Sequence, residues 1–414
     1  MARPGPFMER CQARYGEPFT LRVANEGPWV FVSHPETVEE VFKGDPGVFH
    51  AGEGNAILRP FLGRHSVLLL DEAEHMAQRK LMLPSFHGKR MERYGELMAD
   101  VAAREVERWP AAEPLALWPR MQGVTLEVIM RAVFGVREAE RLERLRAALK
   151  VALDWVLDIR RMVTVAVLGP ACLERLRLVR SALDPVDELL FEEIRERRDD
   201  PTVAERDDVL SLLVQARHED GRPMSDQELR DELMTLLVAG HETTATALSW
   251  AFERLVQHPD KLDRLRREIT EGEDAYADAV VRETLRLRPV IPIVARRLIE
   301  PAEVAGQLLP QGAVVTPCIY LVHRRPEVYP EPTRFLPERF LDRSPGTYTW
   351  IPFGGGVRRC LGASFALFEM KTVLATIVSS VHLRAASSAG ERVRRRAITL
   401  TPGRGAEVVV EPVG

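Results

Sequence analysis

Cysteine is scarce in this chain. Its 414 residues include four, Cys11, Cys172, Cys318 and Cys360, spread far apart with no CxxC pair. Neither a disulfide framework nor a zinc site is indicated. Long apolar runs are also missing. The longest, Met162 to Leu173, falls well short of the about 20 residues that cross a bilayer. The start, Met1-Ala2-Arg3-Pro4-Gly5-Pro6, lacks the apolar core of a signal peptide or membrane anchor. The expectation is a soluble, cytoplasmic protein with no membrane anchor. Neither sign of charge dominates: the net charge is −4, which gives no reason to expect nucleic acid as a partner. Length alone suggests two or three domains. Yet there is no Gly/Ser tract, long proline run, charge block or internal repeat to mark a linker. The reading is one domain over residues 1–414.

What is present is an ordinary globular balance, 45% hydrophobic and 29% charged. Pro18 to Val23 and Trp29 to Ser33 read as two strands joined through Gly27-Pro28. Residues 70–290 are mostly helical in pattern. Val294 to Tyr320 turns β-like, broken by Gly306, Pro310 and Gly312, and Val381 to Val413 alternates like strands. The fold class is mainly α with small β-sheets, the β-rich portions lying near 17–35, 294–320 and 381–413.

One helix stands out. Ser225-Asp226-Gln227-Glu228 is a capping box, with Met224 and Leu229 at the staple positions. No proline follows until Pro259, so a helix from Asp226 to about His258 is expected. It is apolar on nearly every face, as in a helix through the middle of a protein. At its centre stand Ala239-Gly240-His241-Glu242-Thr243-Thr244. Glycine, a carboxylate and two β-branched hydroxyls are poor choices there. Glu242 is costly if buried unpaired. A local rule broken in the most buried element points to function. His241 reads as structural.

The second unusual segment is Phe353-Gly354-Gly355-Gly356-Val357-Arg358-Arg359-Cys360-Leu361-Gly362. A cysteine follows a glycine-rich turn and two arginines, just before a helix that begins at Ala363. Amide N–H groups, a helix N-terminus and Arg358 and Arg359 all favour negative charge there, so the thiol is expected to ionise easily. A thiolate so placed is a soft metal ligand or a nucleophile. A buried structural cysteine is the plainer alternative.

This string fits F-x-x-G-x-R-x-C-x-G at every fixed position, and the chain thereby resembles the cytochrome P450 family. Ala239 to Thr244 is similar to the family's A-G-x-[DE]-T-[TS] segment. Glu283-Thr284-Leu285-Arg286 and Pro337-Glu338-Arg339-Phe340 match its E-x-x-R and P-E-R-F motifs, and His75 and Arg79 its H-x-x-x-R. The resemblance covers nearly the whole chain and implies the P450 fold, with the long central helix over a buried haem. The cofactor is then haem b, iron protoporphyrin IX, with Cys360 as axial thiolate to the metal.

Further roles follow from the resemblance. Thr243 would hold dioxygen and an ordered water, and Glu242 would relay protons from solvent. Ala239 and Gly240 would let the helix pass close over the cofactor, with Phe353 and Gly362 beside it. His75, Arg79, Arg296 and Arg358 would meet the two propionates as cations. Arg297 leaves that choice uncertain by one residue. Glu283, Arg286 and Arg339 would form a buried structural network that locks the loop leading to Cys360. Placed by analogy, the substrate pocket takes Ile57, Leu58, Phe61, Val238, Ile291, Val294 and Ile398, with Met162 to Leu173 as a lid. Such apolar residues imply a lipophilic substrate.

The resemblance implies a haem-thiolate monooxygenase that puts one atom of O2 into that substrate by hydroxylation or epoxidation. Its electrons would come from separate partners, a ferredoxin and a ferredoxin reductase. Lys80, Lys89, Arg90, Arg339 and Arg359 form a candidate basic docking patch. The rival readings are a haem-thiolate peroxygenase or rearrangement enzyme, a non-catalytic haem protein that binds a ligand, and a helical protein with no haem.

Overall fold

A computed structural model describes residues 4–23, 26–86, 90–136, 138–156, 177–342 and 345–412. Short turns aside, twelve helices are described: α1 Pro4–Tyr15, α2 Pro35–Lys43, α3 Glu72–Met82, α4 Arg90–Val106, α5 Leu117–Phe134, α6 Ala139–Val156, α7 Arg177–Asp199, α8 Val209–Gln215, α9 Asp226–Val256, α10 Pro259–Thr270, α11 Ala275–Leu287 and α12 Ala363–Ser380. The strands are β1 Phe19–Val23, β2 Gly27–Val32, β3 Phe49–His50, β4 Pro114–Ala116, β5 Arg296–Leu298, β6 Ala302–Val304, β7 Gln307–Leu309, β8 Val314–Pro317, β9 Val381–Ala385, β10 Val393–Arg396, β11 Thr399–Pro402 and β12 Glu407–Pro412.

The strands fall where the sequence placed them, with two exceptions. β3 is a two-residue strand outside the expected β portions. β4 lies inside the helical stretch and pairs with β12, which also pairs with β9. Three residues among helices carry too little alternation to announce a strand. The main sheet runs β1-β2-β8-β5-β3, and its β2–β8 pair is parallel. β6–β7 and β10–β11 are separate hairpins.

The central helix forms as its capping box requires. Glu228 N donates to Ser225 Oγ (3.2 Å) and Ser225 N to Glu228 Oε2 (2.6 Å). The staple residues Met224 and Leu229 are both buried. Its 31 residues span about 46 Å at 1.5 Å per residue. Two large apolar clusters meet along it. One gathers α4, one face of α5, α11, α12 and the C-terminal half of α9 around Leu248, Phe252, Val280 and Val373. The other gathers the opposite face of α5 with α6, α7 and α8 around the N-terminal half of α9. The middle of α9 therefore lies where the two clusters adjoin.

α12 has the length and hydropathy of a membrane span. Its Met370, Val373, Leu374 and Ile377 are nevertheless buried in the first cluster, as in a core helix of the fold.

Candidate active site

The Cys360 loop is shaped by glycine. Gly354 and Gly356 take φ of 67° and 63°, where a side chain is strained. A Cβ on Gly356 would also lie 2.1 Å from the Phe42 carbonyl oxygen of α2. The turn is thus pressed against backbone, and Cys360 N closes it on Phe353 O at 3.0 Å.

The Gly362 N–H reaches the Cys360 sulfur, and Arg79 and Arg359 add positive charge nearby. These do not offset burial, which pushes the thiol above its ordinary value. The easily ionised thiol expected from sequence is therefore not produced by the protein alone. Desolvation outweighs one N–H and two guanidinium groups. Coordination to a metal cation removes the thiol proton outright. The Cys360 residue keeps an open edge although protein surrounds and desolvates its sulfur, and Ala239 is accessible in the middle of the otherwise buried α9. Leu361, next to Cys360, and Val238, next to Ala239, rest on the same apolar cluster.

A cationic cluster adjoins the loop. His75, Arg296 and Arg358 line one cavity together with Phe42, Phe49 and Gly355. Arg79 stands one turn along α3 from His75, near both the Cys360 sulfur and Arg358. Arg358 donates to Val67 O (3.2 Å), Leu70 O and Asp71 Oδ1. Burial first, then Arg358, pushes Arg296 down to about 10. Burial likewise takes Arg358 down to about 10, with Arg79 adding to the shift. Burial, then Arg358, Arg79 and Arg296, takes His75 down to about 3. In these surroundings the neutral ring, which offers an N–H, is favoured, and carboxylates brought in by a ligand would oppose that shift.

The nearby carboxylates are already engaged. Asp71 accepts from Arg358 and from the amides of Gly52 (2.8 Å) and Glu53 (3.1 Å), while Glu72 sits 3.0 Å from His50. Three guanidinium groups crowded together at partly desolvated sites fit a ligand that brings its own carboxylates.

Strand geometry sends two adjacent arginines to opposite sides. Successive side chains of a strand point to opposite faces. On β5, Arg296 turns inward to the cluster, whereas Arg297 pairs with Glu26 and donates to Gly312 O (3.2 Å).

On α9, Thr243 Oγ1 donates back to Ala239 O at 2.6 Å. Glu242 is 3% exposed. Its Oε1 lies 3.4 Å from Arg396 Nε and 3.5 Å from Thr399 Oγ1. His241 is structural as read: its ring faces Thr125 Oγ1 at 3.0 Å, and burial pushes it down to about 4. A Cβ on Gly240 would lie 2.5 Å from Ile129 Cδ1 on α5, so its small size serves the packing of α9 on α5.

Glu283 and Arg286 form a fully buried two-point pair at 2.6 and 2.8 Å. Arg286 also donates to the carbonyls of His323 (2.8 Å), Pro332 (2.8 Å) and Arg334 (3.1 Å). Arg339 Nε reaches Glu283 at 3.3 Å, and Leu336 N donates to it at 2.8 Å. The stretch 332–339 is thereby tied to α11.

A family model described as "Cytochrome P450" matches residues 2–404. The chain belongs to the cytochrome P450 family. A Mycobacterium tuberculosis protein carrying the name cytochrome P450 135B1 is 45% identical over 413 residues, covering 98% of this chain and 86% of that protein. One carrying the name cytochrome P450 137, also from M. tuberculosis, is 38% identical over 411 residues, covering 98% and 85%. Among solved structures, a retinoic acid-bound cyanobacterial CYP120A1 superposes with a TM-score of 0.84 at 24% identity, covering 99% of this chain and 95% of that one. The haem domain of cytochrome P450DA gives 0.85 at 23%, covering 100% and 93%. P450s are haem-thiolate enzymes, in general monooxygenases, with iron protoporphyrin IX on a cysteine thiolate. The Cys360 loop and the excess of buried positive charge beside it fit that group.

Other expectations for this P450 change. Phe61 is 3% exposed and packs with Val67, Met82 and Leu233, so it is core rather than pocket lining. Ile57 and Val238 lean on the same cluster, partly buried. Leu58 and Ile291 are half-buried, and Val294 rests on the cluster under the main sheet. Ile398 stands exposed at the tip of the β10–β11 hairpin. The candidate lid, Met162 to Leu173, and Lys89 of the basic patch lie outside the described residues. Lys80 is paired with Glu219 at 2.8 Å and Arg339 is turned onto Glu283, so neither stands ready in that patch; Arg359 is exposed.

Sequence reasoning missed Asp71, which gathers two amides and Arg358. Its position before α3 suggests an ordinary N-cap, but it caps nothing there. Arg396 was missed too. Arg394-Arg395-Arg396 reads as a solvated run, although alternation on a strand separates the middle residue's face from that of its neighbours.

Proposed function

We propose that this P450 inserts one atom of O2 into a lipophilic small molecule by hydroxylation or epoxidation. The second oxygen atom leaves as water, with two electrons and two protons supplied. The electrons come from a separate ferredoxin and ferredoxin reductase, with the exposed Arg359 as one docking charge. The protein works in the cytoplasm as a single domain. Haem held on the Cys360 thiolate supplies the electron density that favours O–O cleavage. Arg79, Arg296 and Arg358 hold the two propionates as cations, and His75 adds an N–H. Phe353 and Gly362 frame the cysteine side, and Ala239 faces the cofactor from α9. Ile57, Leu58, Val238, Ile291, Val294 and Ile398 supply apolar contact to the substrate. Glu283, Arg286 and Arg339 keep the Cys360 loop in place.

The observation that carries this reading is the pairing of Glu242 with Thr243 in the middle of α9. A buried acid beside a half-buried hydroxyl is what proton delivery to dioxygen requires. Thr243 holds a proton-bearing group at the open face of the helix. Glu242 carries protons inward from solvent. Peroxygenase and rearrangement relatives often lose that pair, and a haem protein that only binds a ligand needs no proton delivery. The test is Thr243→Ala with substrate and reconstituted redox partners. NADH should still be consumed, with less product and more hydrogen peroxide per NADH. Unchanged coupling would favour the peroxygenase reading. An optical titration with fatty acids, terpenoids, steroids and macrolides assigns the substrate class through the spin shift.

A further inference from the structure

Glu242 and Thr243 are neighbours in sequence but point about 100° apart around α9. Thr243 shares its side with Ala239, four residues earlier, and both are accessible or half-buried. Glu242 shares its side with Thr246 and Trp250, and all three face the C-terminal hairpin or what packs on it. Trp250 Nε1 donates to Leu400 O of β11 at 2.8 Å. Thr246 Oγ1 accepts from Trp118 Nε1 at 3.1 Å. Arg396 lies over the Trp118 ring, 4.7 Å from its centroid, and 3.4 Å from Glu242. The proposed proton carrier is thus drawn toward the hairpin and away from its hydroxyl partner.

The hairpin holds Arg396 firmly at its backbone. Arg396 and Thr399 are the last ladder pair before the tip. Thr399 Oγ1 donates to Arg396 O at 2.8 Å while lying 3.5 Å from the same Glu242 oxygen. The side chain is less confined, since Arg396 is 31% exposed and Glu242 is 3% exposed. The guanidinium therefore stands between water and the acid.

We propose that Arg396 is a positioning residue for proton delivery: it holds Glu242 ionised and turned away from Thr243, and releases it by swinging toward solvent. This rests on the reading of Glu242 as the proton carrier. β11 brings the uncharged Thr399 hydroxyl to the acid, and Trp118 of α5 lies beneath the guanidinium. The neighbouring His241 is kept neutral by burial and by Arg396. Arg396 brings a positive charge to 3.4 Å from the acid. Loss of an opposite charge at this range raises a carboxyl's pKa by about one to three units.

The test follows the Glu242 carboxyl directly by infrared pH titration of the purified protein, with Glu242→Gln identifying its band. Arg396→Gln should raise the Glu242 midpoint by about one to three units. It should move the pH profile of coupled turnover upward by the same amount. Arg396→Lys should return both most of the way, which a merely structural role would not do. Arg396→Met, which keeps the stem over Trp118, replaces the Gln variant if that one does not fold. An unchanged midpoint and profile in the charge-removing variant, with Glu242→Gln itself strongly uncoupled, overturns the role of Arg396 and leaves the active site standing. Normal coupling in Glu242→Gln overturns both.

Discussion

Glu283→Gln is the most demanding test of how the Cys360 loop is held. The substitution keeps shape and one acceptor oxygen but removes the charge opposite Arg286, which is 0% exposed. At a separation of 2.8 Å and an effective dielectric of about 20, the gross attraction is about 6 kcal/mol. Three backbone carbonyls remain on Arg286 after the change. They soften the loss without neutralising the charge. Breaking a buried pair from one side costs about 3–5 kcal/mol, a large part of the about 5–15 kcal/mol that holds a domain folded. Urea unfolding followed by far-UV circular dichroism should show a lower midpoint at unchanged slope. Haem should also be lost at lower urea, since 332–339 leads toward the Cys360 loop. Arg286→Met and the double variant complete the cycle. The double variant should be more stable than the sum of the single losses predicts, because the fully buried Arg286 guanidinium leaves together with its counter-charge and only the partly solvated Arg339 loses a partner. A loss under about 1 kcal/mol for Glu283→Gln, or additive single effects, would refute the argument that an unpaired buried guanidinium dominates.

Three further outcomes are expected. Glu232 on α9 is 0% exposed, accepts Val67 N at 2.8 Å, and is pushed up to about 8, mainly by burial. The folded protein therefore holds this proton more tightly than the unfolded chain does. Its contribution is full below about pH 4.5 and is lost as pH rises to about 8. Glu232→Gln should flatten the fall in melting temperature between those limits, and an equally steep fall would contradict the assignment. Gly356→Ala should destabilise the loop by about 1–3 kcal/mol or more, because the added Cβ meets backbone and sits at positive φ; an unchanged melting temperature would show that the loop can yield. Arg296→Ala should weaken haem retention in a transfer assay to apomyoglobin, while Arg297→Ala, which loses a half-exposed pair with Glu26 and one hydrogen bond to Gly312 O, should not and should cost about 1–2 kcal/mol. The reverse order would place the wrong arginine at the propionates.

Local chemistry was legible in the chain itself. The capping box, the staple and the absence of proline define the start and run of α9, because those signals act within one or two turns. The glycines before Cys360 announce a turn that only glycine can make. The spacing of Glu283 and Arg286 places them on one helix face. What sequence could not decide depends on which surfaces meet. Gly240 meets Ile129 of α5, a packing contact that the motif alone does not announce. Phe61 looked like pocket lining, yet it is core, because an apolar side chain has the same pattern in either place. The ionisation of Cys360 and His75 turned on burial, which no short motif encodes. Arg296 and Arg297 were equivalent as letters, and the pleat of β5 sent one inward and one to Glu26. Arg396 meets Glu242 only because a C-terminal hairpin folds back across the middle of the chain, a contact between residues 154 positions apart that tertiary structure alone creates.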